Sequence, residues 1–498
     1  MSQSENKAAA PEAAPAPQAQ PSAVEELLDM IHLGEEELPD ARLALRHFLE
    51  EYVKVGLEQV RIPLEVVDGM IAELDQKLSR QMSAILHHPD FQKLESAWRA
   101  LKFLVDQSDP QQNVKIEILN VSKESLTEDF KNAPDVVTSG LYKQVYTQSF
   151  GTYGGEPYGL LVGNYDFGCS TPDMFLLNKL AAVATMAHAP FVAAAAPDMF
   201  GMDSFAGLPS INNLHALFET ERTIKWRKFR ESEDSRNVGL AMPRFLLREP
   251  YNARTNPVKS FHFQEEAQND ERDFLWGNAA CAFATRVVDS FARYRISANI
   301  IGPQGGGAVE NLPLHFYEAM GNLQTKIPTE ILISDRREFE LSEEGFIPLT
   351  MRKGSDCAAF FSANSCQLPR KYPDTEEGHR AETNYKMGTQ LPYTFIVSRL
   401  AHYIKVIQRE NLGTFKDRGQ LEQELNKWIR QYVTEDDQAQ EAVRARRPLR
   451  KAQIMVSEVE NDPGWYRVEM KVQPFIKYMG AFFELSLVGK LDKKVAGK

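Results

Sequence analysis

The chain is poor in the groups that redox chemistry, metal binding and export ordinarily use. It has only four cysteines, Cys169, Cys281, Cys357 and Cys366, and no two of them form a CxxC pair. That excludes a disulfide framework and leaves no zinc-type spacing. Each thiol is expected to be a small buried apolar group in a reducing, cytoplasmic setting. No basic stretch followed by an apolar one opens the sequence, and the apolar run Leu180 to Ala196 is broken by His188 and Pro190. Neither an export leader nor a membrane span is expected. Positive charge is in short supply too, with 57 Lys and Arg against 69 Asp and Glu and a net charge of −12. Such a balance argues against a nucleic-acid partner, because phosphate binding needs a basic surface.

Catalytic motifs are also missing. There is no P-loop, no HExxH, no GxSxG elbow and no GxGxxG after a strand. Ile301-Gly302-Pro303-Gln304-Gly305-Gly306-Gly307 comes nearest to a phosphate loop, but no Lys-Ser/Thr follows it and Pro303 removes an N–H donor. A tight structural loop is the expectation. His87 and His88 are adjacent, so on a helix they diverge and make a poor metal pair, while Pro89 after them marks a helix boundary. No catalytic, cofactor or metal residue is nominated, and a non-enzymatic role is expected.

What is present is ordinary globular material, 43% hydrophobic and 25% charged, enough for one extended core or several smaller ones. Residues 1–21 are Ala/Pro/Gln/Ser-rich and expected to be a disordered tail. Within 22–34, Ser22 and Glu25 form a capping box, and Val24, Leu27, Leu28 and Ile31 share one helical face, with Glu25, Glu26 and Asp29 off it. A helix this short must dock on something, either the body of its own chain or the groove of a partner.

Residues 40–110 read as helical. Stripes of Leu45, Phe48, Leu49 and Tyr52, then Val67, Met70, Ile71, Leu74 and Leu78, then Phe91, Leu94, Trp98, Leu101 and Val105 are amphipathic. Packing into a core is their ordinary explanation. Residues 111–390 read as an α/β body. Strands are expected at Val114–Ile118, Tyr158–Val162, Phe191–Ala195, Val238–Ala241, Ile296–Ile301, Ile331–Ile333 and Ala358–Phe361, with helices at 172–187 and 273–292. Strand–helix–strand order around Pro172 implies parallel pairing. Residues 391–498 open with two helices, from Pro392 and around Leu421–Tyr432. They close with strands at Ile454–Val459, Trp465–Val472 and Phe482–Leu487. The fold class is therefore mixed α/β, with a helical N-terminal region and a strand-rich C-terminal sheet. The run Arg444, Arg446, Arg447 and Arg450 is either solvated surface or a charged contact with a neighbouring subunit.

Several strings are specific. Ile85-Leu86-His87-His88-Pro89-Asp90-Phe91, with Leu94-Glu95 and Ala97-Trp98-Arg99, resembles the opening of the large subunit of the type VI secretion contractile sheath (the TssC/VipB family). So do Gly154 to Leu161, Ala187 to Phe191, Glu231 to Arg236 with Pro243 to Arg248 and Pro250-Tyr251, and Gly305 to Gly307 with Val309 to Pro313. They run in family order. Asn164 and Asn252 depart from the usual Asp and Gly.

The resemblance implies a contractile-sheath-like fold. It implies pairing with a small sheath subunit (TssB/VipA-like) through 40–110, and a helical polymer of hexameric rings around an inner-tube protein on a baseplate. It further implies recycling by an AAA+ ATPase, docked on Val24, Glu25, Leu27, Leu28, Asp29 and Ile31. Strands carrying Ile454, Val456, Tyr466, Val468, Leu485 and Leu487 are expected to join sheets of neighbouring protomers. A single-component phage-tail sheath, a cytosolic enzyme and an adaptor that only presents the Leu27-Leu28 helix are the alternatives.

Overall fold

The computed structural model describes residues 39–44, 47, 64–253, 256–267, 271–319, 322–414, 416–436, 438–458 and 466–475. The expected tail, the docking helix at 22–34 and the strand at Phe482–Leu487 lie outside these residues. The chain divides into two compact units, 1–85 with 251–266, and 86–250 with 267–498.

In the first unit, helix α1 (Leu64–Leu86, continuing into the second unit by its last residue) is lined on one side by the segment 251–266. Ser79 and Ser83, one turn apart, accept backbone N–H bonds from Gln264 (3.3 Å) and Glu266 (3.2 Å). Two small hydroxyls at i and i+4 let an extended strap lie close to the helix and satisfy its amides.

The second unit is built on a six-stranded sheet. Its strands are β1 (Leu161–Phe167), β2 (Phe191–Ala195), β3 (Val238–Met242), β6 (Ala308–Val309), β9 (Phe346–Met351) and β10 (Ala358–Phe360), in the order β1-β2-β3-β9-β10-β6. The first four run parallel and the last two pair antiparallel. Short strands β4 (Phe245–Leu246) and β5 (Trp276–Gly277) pair beside it, and β7 (His315–Ala319) and β8 (Asn322–Lys326) form a separate hairpin.

Side-chain alternation sorts the two faces of the sheet. Phe191, Ala193, Val238, Leu240, Met242 and Phe346 meet helices α4 (Thr171–Ala187) and α5 (Ile224–Glu231), which follow α2 (Pro89–Asp106) and α3 (Lys123–Asn132). Val192, Ala241, Ile347 and Leu349 meet α6 (Ala279–Tyr294) on the opposite face. Because β2, β3 and β9 are covered on both faces, they read as continuous apolar runs without alternation, as parallel strands do.

After α7 (Asp335–Glu343) and α8 (Glu376–Gly388), helix α9 (Leu391–Glu410) joins two cores. Leu391 and Phe395 enter the sheet's core, while Ile396, Leu400 and Ile404 turn to a third cluster. There they meet Leu425 and Ile429 of α10 (Arg418–Ile429), and Ile454 and Val456 of β11 (Leu449–Glu458). Helix α11 (Glu441–Arg446) leads into β11, which pairs along its length with β12 (Tyr466–Pro474).

The expected βαβ unit, helices α9 and α10 and the terminal hairpin are all present. Three expected strands are not. Ile296–Ile301 and Ile331–Ile333 are largely buried but irregular, their apolar residues filling cores without ladder partners. Val114–Ile118 has no ladder partner among the described residues. Helix α6 starts at Ala279, because Asn278 caps it and Trp276–Gly277 is strand.

Candidate assembly surfaces

The glycine loop, His88 and three of the cysteines have structural roles. In the glycine loop, Gly302 donates to the Phe360 carbonyl (2.7 Å), Gly307 donates to the Gly302 carbonyl (2.8 Å) and Phe360 donates to the Gly307 carbonyl (3.0 Å). A Cβ on Gly307 would stand 2.5 Å from the Phe360 oxygen, and Gly306 has φ +92°. The glycines are there for close packing against β10, and the N–H groups of Gly302 and Gly307 are already spent. His88 caps α2, its Nδ1 accepting from the Asp90 amide at 3.3 Å. Cys169, Cys281 and Cys366 are buried, and burial pushes their thiols up to about 11, about 12 and about 12. Such thiols are protonated and unreactive at neutral pH. No metal-holding cluster is found among the described residues.

The surfaces that stand out are apolar or open-edged. Helix α2 is fixed to the body by one face. Ala100 and Leu104 are buried there, and Phe103 packs against Phe245 at 5.2 Å between ring centres. Ser96 donates to the Trp276 carbonyl (2.6 Å), and Glu95 receives both Arg99 (2.7 Å) and the buried Arg248 (2.9 Å). The other face carries Phe91, Leu94, Trp98 and Val105, with Trp98 63% exposed. Together with half-buried Leu101 they stand three, four, three and four residues apart, the spacing of a coiled-coil seam.

On α1, Ile71, Leu74, Leu78, Met82 and Ile85 form a second exposed apolar stripe. The sequence expectation that these two stripes pack into the chain's own core is corrected for Ile71, Leu74 and Leu78 of α1 and for Phe91, Leu94, Trp98 and Val105 of α2, while Met70 is buried as expected. The inward anchors of α2 are Ser96, Ala100, Phe103 and Leu104, while Phe91, Leu94, Trp98 and Val105 face out. Single exposed apolar residues are ordinary, but a stripe at seam spacing marks a binding face.

The terminal hairpin supplies the second surface. On its outer side β11 is capped by side chains of α10. Asn426 donates to the Ile454 carbonyl (2.7 Å) and accepts from the Ile454 amide (3.0 Å), while Glu422 accepts from the Val456 amide (3.1 Å). The amides of Ile454 and Val456 thus point away from β12. In an antiparallel ladder the residues directly opposite, Met470 and Val468, then also point their amides away from the pair. Among the described residues nothing lies against that outer edge of β12. Of the nominated strand residues, Ile454 and Val456 are buried core, and Tyr466 and Val468 sit on the open-edged strand with side chains on the packed face. Leu485 and Leu487 lie outside the described residues. In the arginine run, Arg446, Arg447 and Arg450 are exposed, and Arg444 lies over the Phe475 ring at 5.4 Å.

Comparison with known proteins gives these surfaces a context. Residues 68–367 match the model of the EvpB/VC_A0108 tail sheath N-terminal domain, and residues 380–491 that of the EvpB/VC_A0108 tail sheath gpW/gp25-like domain. The chain is 40% identical over 460 residues to the type VI secretion system sheath protein TssC1 of Pseudomonas aeruginosa, covering 91% of this chain and 92% of that one. Among solved structures, the baseplate of the anti-feeding prophage has a chain similar at a TM-score of 0.36 and 7% identity, covering 76% of this chain and 83% of that one. The contracted helical sheath of the same prophage gives 0.30 and 10%, covering 64% and 66%.

Proposed function

Because the chain belongs to the family of type VI secretion sheath large subunits, we propose that it forms one half of a two-component contractile tube. As a member of that family it is a structural sheath subunit. A small sheath subunit covers the apolar faces of the 40–110 region, and the resulting heterodimers stack as hexameric rings around an inner tube, starting from a baseplate. The observation that carries this reading is the seam on α2, whose opposite face is anchored in the body. A helix tied down on one side and apolar on the other needs a helical partner.

Strand addition links the protomers. An open β12 edge is a liability in a free protein and a connector in a polymer. A helical polymer requires such heterologous contacts, which extend without closing. Contraction is a change between two packings of rigid bodies, driven by free energy stored at assembly. An AAA+ ATPase then takes the contracted form apart, docking on Val24, Glu25, Leu27, Leu28, Asp29 and Ile31.

Negative-stain electron microscopy of the chain with and without its small subunit tests the core of this reading. Long hollow tubes are expected only from the co-expressed pair. Tubes from this chain alone would replace it with a single-component sheath, and discrete particles in both samples would remove the sheath assignment for the pair tested.

A further inference from the structure

Helix α9 carries a buried histidine whose surroundings accommodate only its neutral form. His402 is 1% exposed and lies against Phe150, the two rings meeting edge to face at 5.1 Å. Its Nε2 is 2.9 Å from the carbonyl of Ala187, the last residue of α4. A carbonyl only accepts, so Nε2 carries the proton and Nδ1 is the bare lone pair of the neutral ring. Nδ1 is buried and has no hydrogen-bond partner. A second proton would place an N–H and a positive charge where nothing accepts either.

The neighbouring charges are all of one sign. Arg399 and Lys405 flank the ring on α9, and His188, which caps α4 with φ +51°, lies 6.2 Å away ring to ring. The segment 140–152 adds Tyr142, Lys143 and Tyr146 and contains no acid, the last two turns of α4 contain none, and α9 has none before Glu410. That same segment is held over the ring by cations of α9. Lys405 lies over the rings of Tyr146 and Phe150 at 4.3 and 4.5 Å and donates to the Tyr146 hydroxyl. Arg409 donates to the carbonyls of Phe150 and Thr152, each at 2.7 Å.

We infer that His402 is an acid-sensitive latch, whose protonation releases the segment 140–152 and the end of α4 from α9 while the six-stranded sheet stays folded. Opening gives the charged ring the water that the closed site denies it, so acid favours the open form. At neutral pH the ring is uncharged in either form and the latch stays closed. The latch acts on the helix that the sheet's core and the hairpin's core share, so its release loosens the hold on the hairpin that carries β12. The inference stands on this chain alone and does not need a partner subunit.

Amide hydrogen exchange of the full chain, corrected for the intrinsic effect of pH, tests the inference. Between about pH 7.5 and pH 4.5, protection of 140–152, 184–190 and 399–409 is expected to fall roughly fifty- to hundredfold, the factor set by a folded pKa of about 4 against the ordinary 6.5. At the lower pH these segments should exchange at least about tenfold faster than β2 and β3. In His402→Gln the side-chain amide can still donate to the Ala187 carbonyl but takes up no proton, so most of the acid loss should vanish. A histidine-selective NMR titration of the wild type gives a reading that needs no variant: the His402 ring should stay neutral down to the pH at which the segments open. Protection lost only together with that of β2 and β3 overturns the latch. So does an equal acid loss in folded His402→Gln, or an imidazole that titrates near its ordinary pH while the segments stay protected.

Discussion

At the scale of single residues, the chain separates groups that hold the fold from groups that face outward. Arg230 is buried against Glu344 at 2.7 Å and also donates to the carbonyls of Glu343 and Cys366. It belongs to the string Glu231 to Arg236 only by adjacency, and its role is to tie α5 to the strand entry at Phe346. Trp98 is the opposite case. Trp98→Asp is expected to change the chain's own stability by less than about 0.5 kcal/mol, because the side chain is mostly solvated. It should cost the complex with the small subunit about 2 kcal/mol or more, a loss of ~30-fold in affinity read by titration.

His402 gives a pH prediction. Its Nε2 meets the Ala187 carbonyl at 2.9 Å, its Nδ1 is buried without a partner, and burial lowers its pKa to about 4, with Arg399, His188 and Lys405 adding to the effect. Above pH ~6.5 the ring is neutral folded and unfolded, so nothing is lost. Between ~6.5 and 4 the unfolded chain takes up a proton that the folded chain refuses. Stability should therefore fall by about 3 kcal/mol across that window. Thermal melts at pH 7 and pH 4.5 should show the drop in the wild type, and a smaller one in His402→Gln.

At the scale of elements, periodicity was a good guide to type and a poor guide to neighbours. The 3.6-residue stripes of α1 and α2 are real helices, but the sequence cannot say whether an apolar stripe meets its own chain or another. Ser96 and Ala100 share the anchored face of α2 with Phe103 and Leu104, and no hydropathy pattern tells that face from the exposed one. Ile296–Ile301 shows the converse: an apolar run that fills a core needs no ladder, so composition alone overcalls strand. For the terminal hairpin, Met470→Pro removes an outward-facing amide on the open edge of β12. The hairpin with β11 should survive, since edge strands tolerate proline. Heterodimers should still form, and tubes should be absent or short by electron microscopy. Full-length tubes from this variant would reject strand addition at β12.

At the scale of the whole molecule, the two family matches, residues 68–367 and 380–491, are joined mechanically by α9, which contributes to the sheet's core and to the hairpin's core. A helix shared in this way packs against both cores. If the proposed ATPase docking at 22–34 holds, removing residues 1–34 should leave tube assembly and contraction intact while making contracted tubes resistant to an AAA+ ATPase, measured as turbidity loss on adding ATPase and ATP. Disassembly at the wild-type rate would place the docking site elsewhere.

By itself the sequence determined the family, the absence of catalytic motifs, the βαβ unit around α4 and the terminal hairpin. Each of these rests on local signals: contiguous strings, period-2 and period-3.6 patterns, capping residues and turn chemistry. Only the tertiary structure decided that the apolar stripes of α1 and α2 point outward, and that among the described residues β11 is capped by Asn426 and Glu422 while the outer edge of β12 is uncovered. Those facts depend on which surfaces remain uncovered after the chain has packed, and exposure is a property of the whole fold that no local pattern carries.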